Sequence, residues 1–248
     1  MGPMSTTWIS FEYFHEAGDL RVPFRYHFLP RTVMKTANSL LGLLFLCLAL
    51  GGCATSRSAL DISVPASNNV APQNGKTVFI NTATDKRVFE VAPSSPEIPS
   101  LDPSEAQSDQ IKLRAVGRKR NGFGKALGDI LLKDGQTVET MTSASIARAF
   151  ADRGYRVIAS KGEVTSDTYI VDANIEKFWA WMNPGFMAIT LSTQIATDLT
   201  IKSADGSDVK KVSVKASDSY QMATESNWIE IINKALGLYL DDLKSKIK

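Results

Sequence analysis

The amino-acid sequence predicts an α/β domain of the α+β kind, in which a two-layer mixed sheet of about five strands contains a long antiparallel hairpin meander and is covered by two helices. Residues 168–202 alternate apolar with polar side chains, which is the period of strands with one buried face. Residues 138–150 and 226–247 instead repeat apolar side chains at spacings of three and four, the period of helices that pack on a sheet.

Composition limits the function classes before any motif is considered. The chain has 248 residues, of which 44% are hydrophobic and 22% charged, and this balance suits a globular domain with a buried core. It excludes collagen-like and low-complexity chains, and the two cysteines exclude a disulfide-stapled miniprotein. A formal net charge of +2 gives no support for nucleic-acid binding.

One strongly apolar run, Leu40–Leu50, is followed directly by Gly51-Gly52-Cys53. The run is too short for a transmembrane helix, which needs about 20 residues, but it has the length of the hydrophobic region of a secretory signal. Together with the charge at Lys35, the small residues before the cysteine look like a bacterial lipobox. In that motif the Cys53 thiol takes a diacylglycerol, and cleavage exposes its amine for a further acyl chain. The alternative is a buried helix with an incidental cysteine.

These signals divide the chain into four parts. Residues 1–33 have no clean period and are interpreted as a non-native or extended leader, because Met34 gives the better start for a lipoprotein signal peptide over 34–52. Residues 53–75 are rich in Ser, Ala, Asn and Pro, which predicts a lipidated cysteine followed by a flexible tether. Residues 76–248 form the predicted periplasmic α/β domain.

Removal of the leader changes the available chemistry. His15, His27 and Cys47 all precede Cys53, so the mature chain has no histidine and no free thiol. This excludes Ser-His-Asp and Cys-His catalysis and zinc sites built from Cys or His. We expect no metal, and no cofactor beyond the covalent diacylglycerol and N-acyl lipid on Cys53. In lipoproteins of Gram-negative bacteria that carry this motif, aspartate after the cysteine usually marks inner-membrane retention, so the resemblance to a lipobox followed by Ala54 implies the periplasm-facing leaflet of the outer membrane.

The first half of the domain is predicted as strand, turn and loop. Thr77–Asn81 is typical of a short buried strand, residues 84–87 of a turn, and the Pro- and Ser-rich residues 92–110 of an exposed loop. The glycine-rich residues 118–128 match neither of the common phosphate-binding patterns, so they do not indicate a nucleotide site.

The second half contains the clearest elements. A helix over 138–150 is expected to end near Gly154, and the strand that follows at 155–159 would be parallel to the first strand if the two form a crossover unit. In the hairpin, a three-residue loop at Asn183–Gly185 would pair Met182 with Phe186.

This register places Trp179 and Trp181 on the same face as Val171. A third strand over 212–216 and a terminal helix, with Ser226 as its candidate N-cap, complete the domain.

Two groups of residues are candidate contact sites. Apolar side chains at a hairpin tip are unusual, because loop tips are normally polar, and they predict a patch for a partner protein or the membrane interface: Trp179, Trp181, Met182 and Phe186. The alternative is that the tryptophans lie under the terminal helix and only Phe186 is exposed. A cluster of cations is a weaker candidate, either a solvated loop or a contact for anionic lipid or glycan phosphate: Arg118, Lys119 and Arg120.

The order of motifs resembles one known family. The lipobox is followed by TVFINTATDKR, an RAFADRGYRV helix-to-strand junction, a hairpin reading YIVDANIEKFWAWMN and ITLSTQIATDLTI, and a terminal helix. This order is similar to the YajG family of bacterial lipoproteins over most of residues 40–248. The resemblance implies an outer-membrane lipoprotein and supplies no functional residue except the lipidated cysteine.

Three functions remain open from the sequence. The first is a non-catalytic lipoprotein that binds or stabilises an envelope partner, with no nucleic acid and no small-molecule substrate. The second is an accessory lipoprotein of an envelope transport or flagellar assembly machine. The third is a glycan hydrolase that uses carboxylates on one strand face, although a solvated sheet face gives the same pattern: Asp172, Asn174, Glu176 and Asp198. We expect the protein not to be an enzyme.

Overall fold

The computed structural model describes residues 57–66 and 71–247. Within them the α+β class is confirmed, with eight strands and three α-helices in place of about five and two. The strands are β1 (Ser58–Leu60), β2 (Thr77–Asp85), β3 (Ala115–Arg120), β4 (Ala126–Leu132), β5 (Arg156–Ile158), β6 (Thr168–Pro184), β7 (Ile189–Ser203) and β8 (Gly206–Tyr220). The helices are α1 (Asp109–Arg114), α2 (Val138–Asp152) and α3 (Glu225–Lys246), and a 3₁₀ turn spans Lys161–Glu163. The predicted signal segment and Cys53 lie outside the described residues.

Strand β6 organises the sheet because every other strand joins it directly or through a neighbouring strand, two at one edge and five at the other. Along one edge it pairs antiparallel with β7, which pairs in turn with β8. Its other edge is divided between two parallel strands: residues 168–175 pair with β2, and Ala180 and Trp181 pair with β3. Strand β5 extends the β2 branch, and β4 and β1 extend the β3 branch. A strand of 17 residues is needed to hold both branches.

A β-bulge at Glu176 changes which side chains of β6 face the main core. The pairing passes from Ile175 with Thr197 to Lys177 with Ala196, so one residue of β6 has no partner. An extra residue shifts the alternation by one position. Val171, Ala173 and Ile175 face the main core before the bulge, and Phe178, Ala180 and Met182 face it afterwards.

The predicted hairpin register is therefore wrong. Met182 pairs with Leu191 rather than Phe186, and the turn comprises residues 185–188 rather than 183–185. Trp179 and Trp181 lie on the face opposite Val171. The prediction assumed uninterrupted alternation along the strand, and the bulge breaks it.

The main core lies between one face of the sheet and the helices α2 and α3. Its largest fully buried side chains include Phe150 of α2, Phe178 of β6, and Trp228 and Tyr239 of α3. The Tyr239 hydroxyl forms a hydrogen bond of 2.8 Å with the Thr197 hydroxyl, so its polar atom is satisfied inside the core. This packing confirms that the terminal helix covers the sheet.

Both long helices have defined ends. Thr137 caps α2 in a capping box with Thr140, and Gly154 follows the helix with a φ of 82°. Helix α3 begins one residue after its cap Thr224, which forms a capping box with Asn227; Ser226 lies inside the helix and is not its cap.

A smaller second core occupies the opposite face of the sheet: Leu101, Ala115, Leu131, Trp179 and Trp181, with Phe89 and Ile111 packed against them. The Trp179 indole nitrogen donates a 3.1 Å hydrogen bond to the Pro96 carbonyl, and the Phe89 ring meets the indole edge-on at 6.0 Å. Residues 92–110, predicted as an exposed loop, thus lie in a segment that covers this face.

The folded part also begins earlier than predicted. Strand β1 pairs in parallel with β4, and Leu60 and Ile62 are buried in the main core. The predicted tether of 54–75 therefore includes a strand of the sheet from Ser58. Three residues in a Ser-, Ala- and Pro-rich context give too short a pattern to be recognised as a strand.

Arg87 fills the gap between the two branches on the edge of β6. Its Nη1 donates to the Ala115 carbonyl at 2.5 Å and to the Phe178 carbonyl at 2.9 Å, and its Nη2 donates to the Lys112 carbonyl at 2.7 Å. The Asp85 carboxylate accepts from Nε and Nη2 at 2.8 and 2.7 Å. One buried guanidinium therefore satisfies carbonyls of β3, β6 and α1 at the point where β2 ends.

Replacement of Arg87 by Met should lower the free energy of unfolding by about 3–5 kcal/mol, because the Asp85 carboxylate and the carbonyls lose their donor inside the protein. Chemical denaturation followed by circular dichroism measures this. The control is Arg156→Met, whose exposed ion pair with Glu163 at 3.6 Å should contribute less than about 1 kcal/mol. Equal effects of the two substitutions would contradict the role of Arg87.

Deletion of Glu176 should abolish cooperative unfolding, because without the bulge one half of β6 must turn its apolar side chains to the wrong face. The exposed side chain itself should matter little, so Glu176→Gln should stay within about 0.5 kcal/mol of the parent protein. Thermal unfolding monitored by near-ultraviolet circular dichroism distinguishes the two variants. A deletion variant with the parent melting temperature would show that the bulge is dispensable.

Candidate functional site

The structure separates the predicted hairpin-tip patch into buried and exposed residues. Trp179, Trp181 and Met182 are buried, the tryptophans in the second core and Met182 in the main core. Phe186 is fully exposed in the turn between β6 and β7. The patch as predicted does not exist on the surface, because the segment containing Phe89 and Pro96 covers the tryptophans.

The predicted cation cluster is also largely internal. Arg118 and Lys119 are buried and Arg120 is half-buried on β3. Arg118 lies 3.3 Å from the Asp129 carboxylate and donates to the Leu101 carbonyl, and the Lys119 ammonium donates to the Ser58 hydroxyl at 2.8 Å. Burial lowers the pKa of both Lys119 and Arg120.

These three side chains fasten β3 to neighbouring segments, since Arg120 also donates to the Ser100 hydroxyl at 2.9 Å. They do not form an exposed surface for an anionic ligand. The sequence pattern could not show this, because β3 pairs with strands on both sides and each cation has an internal partner that lies far from it in the sequence: Leu101 for Arg118, Ser58 for Lys119 and Ser100 for Arg120.

Two of the carboxylates considered for hydrolysis, Asp172 and Asp198, have different partners. Asp172 accepts hydrogen bonds from Asn81 at 2.6 Å, Thr82 at 2.8 Å and Lys202 at 3.1 Å. Partial burial alone would raise the pKa of Asp172, but the three hydrogen bonds outweigh it and hold the pKa below its ordinary value of 3.8. Asp198 lies 3.1 Å from the Lys211 ammonium. Asp172 is thus a fixed anion, whereas a general acid needs a raised pKa.

An exposed apolar surface does occur at one end of the sheet. The turn between β3 and β4 presents Phe123, whose side chain is 98% exposed, and the turn between β6 and β7 presents Phe186 and Met187, the latter 79% exposed. We call these three residues the tip surface. A cleft of about 470 Å³ is lined by the turn between β3 and β4, by residues 182–184 at the end of β6 and by residues 92–96, so the two turns start from neighbouring parts of the structure.

Sequence reasoning found Phe186 and missed Phe123. The feature of the sequence that could have indicated Phe123 is its position between two glycines, Gly122 and Gly124, in a hydrophilic segment. Gly124 has a φ of 78°, and the backbone of Asn121 and Lys125 is joined by a 2.9 Å hydrogen bond, so this is a tight turn that projects its aromatic side chain outward.

An open cleft of about 360 Å³ lies at the opposite end of β6. Its wall includes Tyr155 and Tyr169, with the Lys76 ammonium 5.7 and 5.4 Å from the two ring centres. The Tyr169 hydroxyl and the electrostatic effect of the tyrosines raise the pKa of Lys76. The rim carries both signs of charge: Asp205, Asp208, Lys210 and Lys246.

The described residues contain neither a metal-binding cluster nor a helix suited to span a membrane. Among residues 57–66 and 71–247, no three His, Cys, Asp or Glu side chains are grouped so that they could hold a metal ion. Nor does any helix in that part of the chain have the length and apolar character needed to cross a membrane.

Comparison with known proteins gives only distant similarities. No family model matches the chain, and no curated protein matches it. A crystal structure of a protein described as uncharacterized has a TM-score of 0.45 at 8% identity, covering 79% of this chain and 99% of its own. A proposed neuraminyllactose-binding hemagglutinin homolog from Helicobacter pylori has a TM-score of 0.32 at 12% identity over 76% and 94%.

The hypothetical protein CT253 from Chlamydia trachomatis has a TM-score of 0.28 at 10% identity, covering 69% of this chain and 94% of its own. All three TM-scores lie below 0.5, and we infer no function from these similarities. The resemblance to the YajG family stays a prediction.

Replacement of Asp172 by Asn should destabilise the domain at neutral pH and progressively less below about pH 4. The lowered pKa means that the carboxylate stabilises the folded state above its unfolded pKa, and that this contribution is lost as pH falls through the folded pKa. Urea denaturation at a series of pH values measures the difference. Asp198→Asn, which removes one partly exposed ion pair, should cost less than about 1 kcal/mol. A pH-independent deficit for Asp172→Asn would contradict this account.

Proposed function

We propose that this protein is a lipid-anchored envelope lipoprotein of the outer membrane, and that its periplasmic domain acts as a non-catalytic binding or stabilising component. The observation that carries the proposal is the lipobox-like segment ending at Cys53, only five residues before strand β1 begins at Ser58. A folded domain that starts so close to the cysteine suits a protein held at the membrane surface by acyl chains.

The interactions of the candidate carboxylates support a non-catalytic role. Two of them are engaged in separate interactions: Asp172 accepts three hydrogen bonds, and Asp198 pairs with Lys211. A hydrolase of the predicted type needs two carboxyl groups with different protonation states facing one cleft. Neither Asp172 nor Asp198 lines the clefts at the two ends of β6.

The exposed apolar side chains support a role in contact. No residue of the described ranges covers Phe123, Phe186 or Met187, although the same domain buries much of its other aromatic surface, including all three tryptophans of the described part. Exposed aromatic residues that cluster on neighbouring turns are typical of contact surfaces rather than of stability determinants.

Acylation at Cys53 is expected when the full chain is expressed in a Gram-negative host. Mass spectrometry of the N-terminal peptide should find a diacylglyceryl, N-acylated cysteine, and the protein should sediment with the outer-membrane fraction. Cys53→Ser should abolish both results. The control is Cys47→Ser, which lies in the apolar run and should change neither. An unmodified N-terminus at Met1 or Met34 would overturn the proposal.

A further inference from the structure

We propose that the tip surface, Phe123, Phe186 and Met187, rests in the interfacial region of the phospholipid bilayer that holds the acyl chains of Cys53. This inference rests on the proposed lipid anchor and adds an orientation of the domain: one end of the sheet touches the membrane, and the cleft at Lys76 faces away from it.

The turns that carry Phe123 and Phe186 leave the sheet at the same end. Strands β3 and β6 are parallel, with Gly117 beside Ala180 and Arg118 beside Trp181. Both strands therefore run towards the same end before they turn back into β4 and β7. The cleft lined by residues 121–124 of the first turn and by residues 182–184 at the end of β6 agrees with this placement.

The direction of β1 indicates that the N-terminal segment enters the domain from that same end. Strand β4 runs away from the turn that carries Phe123, and β1 is parallel to β4, with Ser58 beside Ile130. The start of β1 thus points towards the tip surface. Arg57, the first described residue, pairs with Glu105 and lies 3.6 Å from Asp129, which fixes the direction of entry.

The chain between Cys53 and Ser58 is about as long as the part of β4 that lies between Ile130 and the turn. Ile130 lies four residues from the start of β4 at Ala126, which corresponds to about 13 Å along the strand. The five residue steps between Ser58 and Cys53 span at most about 17 Å. Cys53 can therefore reach the level of the two turns and cannot reach much beyond it, so acyl chains in a bilayer bring the tip surface to that bilayer.

The segments around the tip surface carry positive and no negative charge. Residues 92–96, 121–125 and 182–188 contain no carboxylate and one lysine, Lys125, whose side chain is exposed. The turn at the opposite end of the meander, residues 203–208, contains two aspartates. Apolar tips beside a cation favour a phospholipid surface, because aromatic side chains partition into the interface and cations are attracted to anionic headgroups.

Site-directed spin labelling tests the orientation directly. The mature chain has no cysteine other than Cys53, whose thiol the diacylglycerol occupies, so one introduced cysteine takes the label specifically. The variants are Phe123→Cys and Phe186→Cys, with Ala204→Cys in the exposed turn between β7 and β8 as the matched control. Each full-length lipoprotein is matured in cells, purified in detergent and reconstituted into phosphatidylethanolamine–phosphatidylglycerol vesicles.

Reconstitution should make the labels at 123 and 186 lose accessibility to a water-soluble nickel chelate and gain accessibility to oxygen, while the label at 204 keeps its accessibility to nickel. Labels at 123 and 186 that stay as accessible to nickel as the control, on protein that floats with the vesicles, would overturn the orientation and leave the anchor intact. Loss of nickel accessibility without a gain of oxygen would indicate contact with protein instead of lipid, and would also overturn it. Protein that does not float with the vesicles would overturn the proposed anchor itself.

Discussion

The fold depends on how one edge of β6 serves two strands. A strand edge offers a single row of donors and acceptors, and where β2 ends and β3 has not yet joined, backbone carbonyls would be buried without a partner. The Arg87 guanidinium fills this position and joins the carbonyls of Lys112, Ala115 and Phe178. The close approach of β3 to β6 also requires Gly117, because a Cβ there would lie 2.7 Å from the Ala180 carbonyl oxygen.

The change of partner from β2 to β3 along the edge of β6 coincides with the bulge, and the bulge gives this one strand apolar side chains on both faces. Glu176 lies between the half of β6 that pairs with β2 and the half that pairs with β3. Beyond it, the tryptophans turn to the face where the segment following Arg87 returns and covers them. The domain therefore has three layers at this end of the sheet, and the third layer is a segment without long helices.

The sequence predicted the elements whose period is long and uninterrupted. The two long helices, the meander and the strand after Gly154 were expected from spacing alone, and the structure has them. It did not predict β1, which is too short, or the bulge, because one unpaired residue leaves no signature in an alternating pattern. The cations of β3 were interpreted as solvent-facing since composition does not reveal internal partners. For the candidate site, Phe186 was expected at the surface under both alternatives, burial of the tryptophans was one of the two, and Phe123 was visible only as an aromatic residue between glycines.

The parallel pairing of β1 with β4 has a mechanical consequence. Tension that acts along β1 through the N-terminal segment would load the short ladder between β1 and β4 in shear. All of its hydrogen bonds would then bear the load together, instead of opening one after another from the end. The buried side chains of Leu60 and Ile62 and the hydrogen bond from Lys133 to the Leu60 carbonyl lie directly behind this ladder and would share the force.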